Sequence, residues 1–304
     1  MKTLLHSLLK IQHQQRRYSF PKSTGGFTMI ELLVGTIIAF LITIPLLSFV
    51  VDILNRDVKE QAKVNTEQEI QAAIDYIAQD MSQAVYIYTP AQIAQISSAA
   101  TPAIPTDEGT PKIVFWKRKY IEDAVPLNND DSVNCETNPT QCNDTFVFSL
   151  VAYYQINEFN PVWCEQDPCP SSRIARVEIS DDPKYLDGSY VERDDKAPDE
   201  EPGNGFSKDN LGNIQNPENL IRGDLADGFP PRNVLVNHIQ KFEVDPPSTI
   251  SAQNKLAKVT ILGNSKSRIP GQFKDSDCET DLTSPYCPTV TAQVGSISSL
   301  GFEE

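Results

Sequence analysis

The chain has 304 residues, of which 39% are hydrophobic, so it is long enough to bury a core in one or two domains. Its formal net charge of −15 argues against binding DNA or RNA through phosphates. His238 is the only histidine beyond the basic N-terminal segment, which excludes histidine-rich zinc sites and histidine-dependent triads. Motifs of nucleotide-binding P-loops, zinc proteases and serine hydrolases do not occur, and we expect a protein that is not an enzyme.

An apolar run follows a basic leader. Residues 1–26 contain five basic residues and no acidic one, whereas Glu31 is the only charged residue of the apolar run 27–51. As a helix rising about 1.5 Å per residue, this run is long enough to cross a bilayer. The positive-inside rule predicts that the N-terminus stays in the cytoplasm and that the part of the chain after the apolar run is exported. The run is too long for a secretory signal peptide and lacks the small-residue cleavage site.

Glu31 is the residue of this run that needs an explanation. A carboxylate inside a membrane helix costs about 2.5–3.5 kcal/mol on insertion scales, so it should have a partner and a role. A plain single-span anchor would have no use for it. If the chain is cut between Gly26 and Phe27, the new α-amino group of Phe27 lies one helical turn from Glu31, or meets the Glu31 of a neighbouring copy.

The stretch GG-FTMIELLVG, which begins at Gly25, resembles the class III signal of type IV pilins and pseudopilins. The match comprises Gly26 before the cut, the aromatic Phe27 after it, Glu31 in register and a continuous apolar helix. The resemblance implies cleavage by a membrane prepilin peptidase, N-methylation of Phe27, and assembly of mature chains through Phe27 and Glu31. It also implies an inner-membrane assembly platform and other pilins as partners, with the mature chain in a surface or periplasmic filament.

The helix is predicted to continue over residues 52–89 and to end at Thr89-Pro90. Its second half carries an apolar stripe at spacings of three and four, which predicts packing on a sheet. The stripe consists of Ile70, Ala73, Ile74, Ile77, Met81, Ala84 and Val85. Its first half is polar, with three possible ion pairs four residues apart. These are Asp52/Arg56, Arg56/Glu60 and Lys63/Glu67.

The rest of the chain, 90–304, reads as a β-rich extracytoplasmic head. Six segments rich in β-branched and aromatic residues are separated by Pro, Gly, Asn and Asp. They are 112–120, 144–156, 173–180, 233–244, 254–264 and 289–297. The predicted fold class is α+β, with one long helix packed on an antiparallel sheet. The pilin resemblance implies the same fold, and these segments are similar to minor pilins of the J and W type. The whole chain is similar to cyanobacterial hormogonium polysaccharide secretion pseudopilins.

Residues 181–232 are acidic and rich in proline and glycine without an apolar period, which predicts a surface insertion. Acid clusters such as DDPKYLDG and ERDDKAPDEEPGNG supply the oxygen ligands that Ca²⁺ prefers. Neither cluster has the spacing of a calcium loop, so a solvated acidic loop is the favoured interpretation. We assign no metal or cofactor site, with calcium as the alternative.

Six cysteines occur as three close pairs in loops rich in Pro, Asn and Asp. They are Cys135/Cys142, Cys164/Cys169 and Cys278/Cys287. Six cysteines allow 15 connectivities, of which local pairing is the simplest, and export makes oxidation expected. No CxxC spacing favours a metal, and the thiols lack a histidine for catalysis. The expected role is to staple loops.

Two classes of function remain open. The first is a low-abundance filament subunit that primes or caps a type IV pilus-like or type II secretion-like filament supporting motility or polysaccharide secretion. The alternative is a ligand-binding module at a filament tip, whose stapled loops hold a polysaccharide. Exposed aromatic rings at Trp163, Tyr185 and Tyr190 would favour this alternative, although burial is the ordinary state of Trp163.

Overall fold

The computed structural model of the protein describes most of the chain after the leader. The described residues are 26, 28–98, 104–130, 132–164, 167–191, 230–245, 256–269, 278 and 284–295. The chain divides into two compact units, Met1–Asn55 and Arg56–Glu304. The helices are α1 (Met29–Ser82) and α2 (Pro90–Ser97), and the strands are β1 (Ala84–Ile87), β2 (Thr110–Pro126), β3 (Cys142–Ile156), β4 (Ser172–Ser180), β5 (Asn233–Asp245), β6 (Leu256–Gly263) and β7 (Thr289–Gly295).

The strands form one antiparallel sheet in which each strand pairs with the next along the chain, from β1 to β7. The six strand segments predicted from composition correspond to β2 through β7. The α+β class, with a long helix on an antiparallel sheet, is therefore confirmed. The sequence did not predict β1.

The prediction that α1 continues to Tyr88 is wrong. The helix ends at Ser82, and Ala84–Ile87 forms β1 because it pairs with β2, where Ala84 lies opposite Lys117 and Ile87 opposite Phe115. Thr89-Pro90 begins a helix instead of ending one. Thr89 accepts a bond from the Gln92 backbone N–H, while the Gln92 side chain accepts one from the Thr89 N–H, a capping box with proline in the first turn.

The second half of α1 packs against the sheet as its apolar stripe predicts. Ile70, Ala73, Ile74, Ile77 and Met81 are all at most 2% exposed. They share one core with side chains from all seven strands, among them Phe115, Tyr153, Ile174, Phe242 and Ile261. Each fully buried isoleucine contributes about 1.5–3 kcal/mol, so this stripe holds the helix on the sheet.

The three ion pairs expected on the polar half of the helix are absent from this described stretch. Lys63 pairs instead with Glu60, at 3.5 Å, and both side chains are exposed enough for water to screen the contact. The interpretation of these charges as a solvated helix face is retained.

A second core lies under α2. Ile93 and Ile96 of that helix pack with Trp116, Leu150 and other residues of β2, β3 and β4. The Trp116 indole N–H donates to the Tyr88 hydroxyl at 2.7 Å, which satisfies a polar group that is otherwise buried.

Candidate functional site

The first part of α1 is apolar and exposed. Every large apolar side chain between Met29 and Leu54 is exposed, for example Leu41 at 69% and Phe40 at 68%. By length and composition this helix can cross a membrane. The hydroxyls of Thr36 and Thr43 donate to the carbonyls of Leu33 and Ala39 at 2.8 and 2.7 Å. These polar side chains are therefore satisfied within the helix.

Glu31 lies in the first turn of α1. Its backbone N–H donates to Thr28 Oγ1 at 3.4 Å, so Thr28 caps the helix start. The positive end of the helix dipole favours a carboxylate in this turn. The carboxylate itself has no partner among the residues that the structure describes. Gly26 is exposed, whereas Phe27 lies outside the described residues, so the contact between its amine and Glu31 stays a prediction.

A buried cluster of charges lies at the other end of α1. We call it the Asp80 cluster: Asp80, Lys117, Tyr153, Arg176 and Glu178. Asp80 accepts from Lys117 Nζ at 2.7 Å, from the Tyr153 hydroxyl at 2.8 Å and from Arg176 Nε at 2.8 Å. The Glu178 carboxylate forms ion pairs with Arg176 Nη2 at 2.5 Å and with Lys117 Nζ at 3.4 Å. Two carboxylates and two cations thus compensate each other away from water.

The electrostatics of the cluster follow from this pairing. Burial raises the pKa of Asp80, but hydrogen bonds and charges from Arg176 and Lys117 outweigh burial and hold that pKa below its usual range. The pKa of Glu178 is lowered in the same way, against the effect of burial. Burial, together with the charge of Asp80, raises the pKa of the Tyr153 hydroxyl. Asp80 and Glu178 therefore stay ionised at neutral pH.

The cluster fixes the end of α1 on the sheet. A carboxylate in the last turn of a helix faces the negative end of the dipole, so Asp80 needs the two cations that β2 and β4 supply. Its side chain is 7% exposed, and the partners are 10–17% exposed. A soluble substrate cannot reach these groups, and their role is structural. Sequence analysis did not identify this cluster, although an aspartate in a C-terminal turn was its visible signal.

Three disulfides staple loops of the head. They join Cys135 to Cys142, Cys164 to Cys169 and Cys278 to Cys287. This is the local pairing that the spacing predicts. The described residues include no free cysteine. Each ring is short, and the chain-entropy model gives about 2–3 kcal/mol for a ring of this size.

The start of the predicted acidic insertion contains buried residues. Asp181 is buried, accepts from Lys184 Nζ at 2.7 Å and from the Tyr190 hydroxyl at 2.9 Å, and Tyr185 is buried as well. The start of the predicted insertion is therefore packed in part, since Asp181, Tyr185 and Val191 are buried whereas Leu186 is exposed. A surface insertion over residues 181–232 stays a prediction. Desolvation, which outweighs these hydrogen bonds, raises the pKa of Asp181.

The acidic clusters and the aromatic rings can now be placed. Among the described residues no group of three His, Cys, Asp or Glu side chains could hold a metal ion. Residues 192–229, which contain the second acidic run, lie outside the described part, so calcium binding there stays a prediction. Of the three aromatic residues, Tyr185 is buried, Tyr190 packs on Lys184, and Trp163 is 38% exposed.

Comparison of the chain with models of protein families, with curated proteins and with solved structures gives no match.

Proposed function

We propose that the protein is a minor pilin or pseudopilin, a low-abundance subunit that primes or caps a filament of the type IV pilus or type II secretion kind. The observation that carries the proposal is the exposed apolar start of α1 with Glu31 in its first turn. The class III signal resemblance around Gly26 and Phe27 supports it. The long helix on an antiparallel sheet, with stapled loops, agrees with a pilin fold.

The exposed helix supplies an assembly surface in this proposal. About 25 residues of apolar helix first hold the chain in the inner membrane, N-terminus in the cytoplasm and head exported. After cleavage by the prepilin peptidase, the Phe27 amine of one chain and the Glu31 carboxylate of another neutralise each other. Removing an unpaired carboxylate from the bilayer is favourable, so the ion pair selects both association and axial register.

A priming role follows from the head. A sheet of seven strands with three stapled loops is a large body to repeat along a closely packed shaft, whereas nothing has to fit above it at a tip. A subunit at the top has no chain above it to meet its Glu31. It therefore relies on its own Phe27 amine or on another minor pilin, and we expect a small complex of several minor pilins there.

Deletion of the gene tests the priming role. The protein should be scarce relative to the major pilin, yet its loss should sharply lower the number of surface filaments and the amount of secreted product. A missing initiator affects whole filaments, whereas a missing shaft subunit is diluted by identical copies. Filament counts by electron microscopy and an export assay are the measurements, with the gene restored in trans as control. Normal filament number and normal secretion in the deletion strain would reject the role.

A further inference from the structure

The sheet opens into a cleft where β4 begins. Ser172, the first residue of β4, lies opposite Ile239 of β5, and β5 continues beyond it to Asp245. The Gln155 side chain, at the end of β3, lies beside the part of β5 that extends beyond β4. It donates to Ser172 Oγ at 2.9 Å and accepts from the Phe242 N–H at 3.3 Å. The cleft above it has a volume of about 910 Å³.

Two of the three disulfides border this cleft. Cys169 lines it together with the loop residues Pro168, Pro170 and Ser171, and Cys278 lines another part. A short ring that is closed by a disulfide keeps a loop in place, so the walls are held open without a bound ligand. At this volume the cleft lies at the upper end of the range of small-molecule sites, about 300–1,000 Å³.

The charge of the described cleft lining differs from that of the whole chain. The chain carries a net charge of −15, but the described residues that line the cleft include no aspartate or glutamate. They include two lysines, Lys112 and Lys241, beside hydroxyl and amide side chains. Lys241 Nζ pairs with Glu243 at 2.5 Å. Lys112 has no ion pair among the described residues.

Exposed rings lie on the segment that leads into the cleft wall. Between Asn157, which lines the cleft, and Cys164 the chain carries Phe159, 45% exposed, and Trp163, 38% exposed. The negative face of an aromatic ring attracts groups with positive edges, such as the C–H bonds of a sugar. A polar cleft with an ammonium that has no ion pair among the described residues, and exposed rings on the segment that follows Asn157, fit a sugar chain with spaced carboxylates better than a polymer that is charged at every residue.

We propose that this cleft binds an oligosaccharide that carries a carboxylate, and that Lys112 selects for the negative charge. The inference concerns the head alone and goes beyond the filament role. A polynucleotide would bring a charge at every residue of its backbone, which the acidic chain as a whole disfavours. An acidic peptide is the competing ligand, and the experiment below compares its binding with that of the oligosaccharide.

The test uses the full chain in detergent micelles and three labelled probes of six residues each. They are a hyaluronan hexasaccharide, which alternates glucuronate with N-acetylglucosamine, a neutral hexamer of N-acetylglucosamine, and hexaglutamate. Fluorescence polarisation measures binding. We expect the hyaluronan probe to bind about fivefold more tightly than the neutral hexamer, since a partly exposed ion pair is worth up to about 1 kcal/mol. Added salt should reduce this preference.

Matched variants locate the site. Lys112→Gln should abolish the preference, so that the carboxylated hexasaccharide and the neutral hexamer bind equally tightly. Lys119→Gln, on the same strand but outside the cleft lining, should change neither. Failure of both saccharides to bind, equal binding of hexaglutamate, or an equal effect of Lys119→Gln would overturn the proposal. Filament assembly is not needed for this assay, so either proposal can fail without the other.

Discussion

The Asp80 cluster gives a quantitative prediction for Asp80→Asn. Asparagine keeps the volume of the side chain and one acceptor oxygen but removes its charge. Lys117 and Arg176 then share a single carboxylate, that of Glu178, in a site whose side chains are only 7–17% exposed. The variant therefore leaves an uncompensated positive charge between α1 and the sheet.

Breaking a buried ion pair by removing one partner costs about 3–5 kcal/mol. Asparagine retains one hydrogen bond and Glu178 remains, so we expect the low end, a loss of about 3 kcal/mol in the free energy of unfolding. For a head of this size such a loss lowers the melting temperature by about 6–12 °C. The exposed Asp75 on the same helix accepts from Gln71 alone among the described residues, so Asp75→Asn should stay within about 0.5 kcal/mol of the parent.

The same substitution should change the pH dependence. The pKa values of Asp80 and Glu178 are lowered in the folded state. Their contribution to stability is therefore complete above their ordinary values, 3.8 and 4.5, and is lost as the pH falls through the lowered ones. In Asp80→Asn the acid limb of the stability curve should be shallower than in the parent.

Urea unfolding of the full chain in micelles measures these differences. Tryptophan fluorescence reports unfolding of the head, because Trp116 is 1% exposed and is hydrogen-bonded to Tyr88. The reasoning is refuted if Asp80→Asn and Asp75→Asn have the same unfolding midpoint, or if the acid limb keeps its slope in Asp80→Asn.

Two further predictions concern the close contact between α1 and Gly263 and, separately, the N-terminus of the mature chain. A Cβ at Gly263 would lie 2.8 Å from Thr66 Cγ2 and 3.2 Å from Pro288 Cγ. Gly263→Ala should therefore destabilise the head by about 1–3 kcal/mol in the same unfolding assay. Gly35→Ala should not, because a Cβ at Gly35 would have nothing within 4 Å. Equal unfolding midpoints for the two variants would contradict the packing argument. The mature chain should begin at Phe27 and carry an N-methyl group, as mass spectrometry of protein from cells with an active prepilin peptidase will show; an intact leader there would contradict the prediction.

Sequence periodicity predicted the helix stripe and the six longer strands because burial on one face leaves a regular trace. It failed at Ala84–Ile87, where the apolar residues continue the helical spacing and also suit a strand. Pairing with β2 decides the outcome, and that contact is not local. At Thr89-Pro90 the capping box T-P-A-Q was present in the sequence, but proline was interpreted only as a helix terminator.

The charged cluster and the cleft could not be predicted for a different reason. Lys117, Arg176 and Glu178 each occupy a strand position that alone suggests a solvated side chain. Their burial depends on where α1 brings Asp80, and the cleft depends on the length difference between β4 and β5. Both features arise from the alignment of elements that are distant in sequence. The cysteine pairs, in contrast, are close in sequence and could be assigned from spacing.

In the proposed filament subunit, the exposed start of α1 is an assembly element in which Glu31 has a specific task. Glu31→Val should leave membrane insertion intact or improved, because it removes a charge that costs about 2.5–3.5 kcal/mol in the bilayer. Incorporation into filaments should fall because the Phe27 amine loses its partner. Thr36→Val, in the same exposed segment, is the matched control, since its hydroxyl bonds only within the helix.

The measurement is the ratio of each variant in purified filaments to the same variant in the inner membrane, by quantitative immunoblotting. We expect a ratio for Glu31→Val well below that of the parent chain and a ratio for Thr36→Val equal to it. Equal ratios for Glu31→Val and the parent would contradict the claim that Glu31 acts in assembly.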